Sequence, residues 1–127
     1  MKFLITAFSA IFLGGCALIQ PSATSHFDAK PGTSVEAVFV CAEATIRSLN
    51  KQHGIWSDLI TTRDVSAGLL ETNRFNEVNI AGIRAQIKYK PNTGDGRIKI
   101  KASGPYFIDL GAKQAAAQLS TGITQCL

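Results

Sequence analysis

Arg84, Lys88, Lys90, Arg97, Lys99 and Lys101 are the side chains whose type and spacing could do chemistry. They fall at alternate positions of two neighbouring runs, with no acid among them and only Gln86 interrupting the cations. Successive side chains of a strand point to opposite faces. The alternation therefore gathers the positive charges on one face and sends Ile83, Ala85, Ile87, Tyr89, Ile98, Ile100 and Ala102 to the other. Like charges opposite one another weaken strand pairing by a few tenths of a kcal/mol or more. A face that carries so many is suited to an anionic partner. It has a plainer use too, since cations on exposed strands discourage edge-to-edge association. Both readings stand at this level.

Covalent and acid–base chemistry has no comparable signature. His26 and His53 are the only histidines, and no Gly-x-Ser-x-Gly elbow accompanies them. There is no Gly-rich phosphate loop ending in Lys-Ser or Lys-Thr, and Gly94-Asp95-Gly96 belongs to a turn. Glu71 and Glu77 form no obvious catalytic pair. Cys16, Cys41 and Cys126 show neither Cys-x-x-Cys nor metal-ligand spacing. The chain reads as non-enzymatic, with no cofactor and no metal. Nucleic acid is not an expected partner, because the cations are not interleaved with aromatic rings for base stacking.

The first residues carry a different message. Met1-Lys2 is a short positive start, residues 3–13 are apolar apart from Thr6 and Ser9, and Leu13-Gly14-Gly15-Cys16 follows. This is the layout of a secretory signal, and the run falls short of the roughly 20 apolar residues that span a bilayer. Leu-Gly-Gly-Cys resembles the lipobox of small Gram-negative bacterial lipoproteins, an aliphatic residue and two small ones before the modified cysteine. The resemblance implies cleavage after Gly15, a diacylglycerol thioether on Cys16 and a stable membrane anchor, since two or more acyl chains hold a protein to a bilayer. Ala17 rather than Asp follows the cysteine, which by the sorting rule of that class implies the outer membrane, facing the periplasm. With Cys16 acylated, Cys41 and Cys126 remain as an even pair in an oxidising compartment, where a disulfide persists. Two separate buried thiols are the alternative.

The elements that must position these residues follow from periodicity. Residues 17–32 hold Pro21, Pro31 and several small polar residues, and read as a flexible tether of about 20–25 Å. Thr33 and Glu36 have capping-box spacing. Val35, Val38, Phe39, Ala42, Ile46 and Leu49 then recur at helical spacing up to His53-Gly54. Residues 56–63 and 69–75 read as strands, 76–82 as a polar crossover, and 83–90 and 97–102 as a hairpin around Pro91 to Gly96. Asp109 is the expected cap of a last helix whose Ala112, Ala115, Ala116, Leu119, Ile123 and Cys126 share one side.

The fold expected is α+β: a helix, a four-stranded antiparallel meander and a second helix, both helices on the one apolar face of the sheet. Its parts are a signal peptide (1–15), a lipidated N-terminus and tether (16–32) and a single periplasmic domain (33–127). The function expected is that of a membrane-anchored accessory or binding module of the cell envelope. Its partners would be the membrane through the lipid, and an envelope protein, anionic lipid or lipopolysaccharide through the cations. A periplasmic inhibitor or immunity protein that blocks an enzyme or toxin is the alternative.

Overall fold

The computed structural model describes residues 21–78, 80–103 and 109–127, with the side chains of Ser103, Asp109 and Leu110 left aside. Among the described residues the fold is α+β, two helices and one five-stranded antiparallel sheet. In chain order these are β1 (Ser22–Asp28), α1 (Val35–His53), β2 (Ile60–Asp64), β3 (Leu69–Thr72), β4 (Gly82–Lys90), β5 (Asp95–Ser103) and α2 (Asp109–Cys126). The strands lie in the order β1-β5-β4-β3-β2. Strands β2 to β5 are the expected meander. The fifth, β1, comes from residues expected to be a tether and pairs with β5 from Ser22 opposite Lys101 to Asp28 opposite Asp95.

Burial explains why β1 joins the sheet. Ser-Ala-Thr-Ser-His-Phe-Asp holds one large apolar side chain, Phe27, which is buried and stacks on Tyr89 with ring centroids 6.2 Å apart. Phe27, Gly96 and Tyr89 form one row across β1, β5 and β4. A Cβ at Gly96 would run into the Phe27 ring, so the glycine leaves the room that the aromatic residue fills. The backbone ladder extends past both ends of β1, from the Ala102 N–H to the Pro21 carbonyl (2.8 Å) to the Ala29 N–H on Gly94 (2.8 Å). The α2 helix lies against β1 and β5, and the Ser120 hydroxyl donates to the His26 carbonyl at 2.8 Å.

One hydrophobic cluster joins both helices to the inner side of the sheet. It contains Val38, Phe39, Ala42, Ile46 and Leu49 of α1, Ala112, Ala115, Ala116, Leu119 and Ile123 of α2, and the inward residues of β4 and β5. The α1 helix starts one residue later than capping-box spacing suggests. Ser34 is the N-cap and its hydroxyl accepts from the Ala37 N–H at 3.1 Å, whereas the Thr33 hydroxyl donates to the Lys30 carbonyl. It ends as expected, with Gly54 at φ 67° in the left-handed conformation that glycine adopts without penalty. Cys41 and Cys126 form a disulfide, with Cα atoms 5.6 Å apart, that joins the second turn of α1 to the last turn of α2. At the β2 edge, Arg63 lies over the Phe39 ring and pairs with Glu36 (2.6 Å) and Glu43 (3.1 Å) of α1. Hydrogen bonds to Glu36 first and Glu43 second hold its guanidinium further in the protonated state.

Candidate functional site

The six expected site cations do lie on one face of the β4–β5 hairpin, opposite the helices, because the inward residues of both strands are buried against the core. The register arranges that face in rows. Lys88 and Arg97 are directly opposite, flanked by Leu69 of β3 and His26 of β1. The next row is Glu71, Gln86, Lys99 and Thr24, and the one after is Arg84, Lys101 and Ser22.

Arg84 and Lys101 do not belong to the open surface, contrary to the alternation alone. The crossover after β3 folds back over this end of the sheet. Arg84 is fully buried beneath it, and its Nη1 donates to the carbonyl oxygens of Arg74 (2.9 Å), Phe75 (3.3 Å) and Glu77 (2.9 Å). Lys101 Nζ donates to the Phe75 carbonyl at 2.9 Å and lies 4.4 Å from the centre of the Phe75 ring. Burial lowers the pKa of both groups, and for Lys101 the adjacent Arg84 charge adds to the effect. These two cations hold a strap in place. Phe75, itself buried, closes the hydrophobic side of that clasp. An acid also enters the face from β3. Glu71 is buried, accepting from Gln86 Nε2 at 2.7 Å and Asn76 Nδ2 at 3.4 Å.

Lys88, Lys90, Arg97 and Lys99 remain exposed. Among the described residues none of the four is in an ion pair. Lys88, Lys90 and Arg97 line a concavity of about 620 Å³ together with His26, Ala67, Leu69, Asp95 and the backbone around Tyr89 and Gly96. The turn after β2 forms one wall and β1 the other. That turn is fixed locally: Asp64 accepts from the Ser66 hydroxyl at 2.7 Å and from the Ala67 N–H at 3.0 Å, and these bonds lower its carboxyl pKa, the hydroxyl most. The arrangement can hold an anionic group between Lys88 and Arg97, with Asp95 setting the polarity of one rim. His26, expected in a tether, thus lies on the rim of the basic concavity; only the strand pairing of β1 reveals this.

No group of His, Cys, Asp and Glu among the described residues is placed to hold a metal ion. Trp56 is buried in the core. Tyr106, Phe107 and Cys16 lie outside the described residues. No helix among the described residues is long and apolar enough to cross a membrane. No protein-family model matches the chain, and no curated protein matches it.

Proposed function

We propose that the chain is a lipid-anchored, non-enzymatic binding module of the Gram-negative envelope, held at the outer membrane through Cys16 and engaging an anionic partner with its open sheet face. The observation that carries the binding role is a set of four exposed cations with no ion pair among the described residues, of which Lys88, Lys90 and Arg97 line one concavity and Lys99 stands in the next row of the same face. The other two basic residues of the hairpin are consumed in holding the strap, so the four are set apart by geometry as well as by charge. Partner chemistry suited to the face is an acidic protein surface or phosphate on lipid or lipopolysaccharide.

The test is the triple substitution Lys88→Glu, Arg97→Glu and Lys99→Glu in the full chain. Each position is exposed, and surface changes of this kind usually alter stability by no more than about 0.5 kcal/mol each. We expect an unchanged thermal transition and a tenfold or greater loss of the protein captured after envelope crosslinking, or of binding to phosphatidylglycerol vesicles if lipid is the partner. Capture and vesicle binding equal to those of the parent chain would return these cations to the role of keeping strands apart.

A further inference from the structure

From the pairing of β1 we infer that the end of the sheet carrying Ile55, Leu59 and Val78 is seated on the bilayer, an inference that rests on the reading of Cys16 as the acylated residue. Cys16 precedes Pro21 by five positions, and the Pro21 carbonyl is already bonded to the Ala102 N–H in the sheet. Five residues reach at most about 18 Å when fully extended. The coil of residues 17–32 would have let the domain hover; β1 removes most of it. The end of the domain at which β1 begins is therefore held against the membrane.

That end has a distinct surface. Ser22 is level with Lys101, which is level with Arg84. Ile55 adjoins the first residues of β4, its carbonyl accepting from the Ile83 N–H at 2.8 Å. Leu59 is fixed at the same level, its carbonyl accepting from the Asn73 N–H at 2.8 Å. Val78 follows Glu77, whose carbonyl is bonded to Arg84. Leu59 and Val78 are 62% and 63% exposed, the highest values among the exposed large apolar side chains of the described residues, and Ile55 is 40% exposed; all three share the end of the sheet at which β1 begins, on the side toward β4, β3 and β2. The cation Arg74 nearby is paired with Glu77, which leaves apolar contact as the attraction. The chemistry fits the interfacial and upper acyl region of a lipid leaflet.

The seating also decides what the basic concavity can reach. Arg97 and His26 lie four residues along their strands from the level of Lys101 and Ser22, about 13 Å at 3.3 Å per residue. That exceeds the screening length of about 8 Å at physiological ionic strength. On this seating the anionic surface that the concavity meets belongs to an acidic protein or to an opposed membrane, not to the headgroups of its own leaflet.

The experiment uses single-cysteine labels in the acylated, disulfide-bonded protein, where an added cysteine is the sole free thiol. Leu59→Cys and Val78→Cys probe the seated end; Val65→Cys and Thr93→Cys probe the turns at the opposite end. The bimane-labelled proteins are reconstituted in phosphatidylcholine vesicles containing nitroxide-labelled lipid, and the N-terminal peptide is weighed by mass spectrometry. We expect quenching at positions 59 and 78 several-fold stronger than at 65 and 93. Equal quenching at all four, with the diacylglycerol present, overturns the seating and leaves the anchor intact. An N-terminal peptide without lipid overturns both.

Discussion

Arg84 shows how little a residue's place in a strand pattern says about its task. Its alternation with Ile83 and Ala85 marks it as an outward, solvent-facing cation, and it is outward, but the strap between β3 and β4 closes over it. Three main-chain carbonyls depend on its guanidinium. Removing a charged donor from buried acceptors costs several kcal/mol, because the acceptors lose their partner without regaining water. Arg84→Met should lower stability by about 2–4 kcal/mol in urea titration and speed hydrogen exchange across residues 73–78. Lys88→Met, on the same strand but exposed, should change it by less than about 0.5 kcal/mol. Lys101 adds a pH signature. Its folded-state pKa lies below its ordinary value, so in the alkaline window beneath about 10.4 the unfolded chain holds the proton that the folded protein has lost. Stability contributed at this site therefore rises with pH through that window. Relative to Lys101→Met, the parent protein should gain stability as the pH rises toward the ordinary lysine pKa; a constant difference would deny the linkage.

The elements differ in how much of them the sequence exposes. The β4–β5 hairpin is plain because period-two patterning runs along both strands, and α1 is plain because Val38, Phe39, Ala42, Ile46 and Leu49 form a continuous stripe. Strand β1 is not, since its only large apolar residue is Phe27 and its partner strand lies far along the chain. No local pattern announces that Gly96 leaves room for that ring. The strap is hidden for the same reason: its residues are polar apart from Phe75, Val78, Ile80 and Ala81, with no strand or helix period, and its anchors are the two cations it covers. The split of the basic residues into an open set and a buried pair follows from that one crossover. The alanine-rich face of α2 is legible; its final cysteine, expected to point inward, is instead exposed beside α1, where it reaches Cys41. The disulfide closes a loop of 85 residues, which in the chain-entropy model is worth about 4–5 kcal/mol. Cys41→Ala with Cys126→Ala should lower the unfolding free energy by about that amount, and reductant should reproduce the loss in the parent protein. No loss in either measurement would show that packing of α1 on α2 alone holds the two ends together.

At the scale of the whole molecule, the proposed activity depends on where the domain is held as much as on what it displays. Cys16→Ser should abolish metabolic palmitate labelling and move the domain from the membrane to the soluble periplasmic fraction. Membrane association unchanged by that substitution would contradict anchoring through this thiol. The disulfide loop begins at Cys41 and so encloses every strand except β1. On the proposed anchoring, a tug on the lipid would enter the globule at Pro21 and run along the axis of β1. The rungs between β1 and β5 then meet the load side by side in shear, as a lap joint does, where a perpendicular pull would peel them apart one after another. With the anchor proposed at Cys16, an edge strand that looks like a late addition to the meander would be the mechanical coupling between the bilayer and the crosslinked body of the protein.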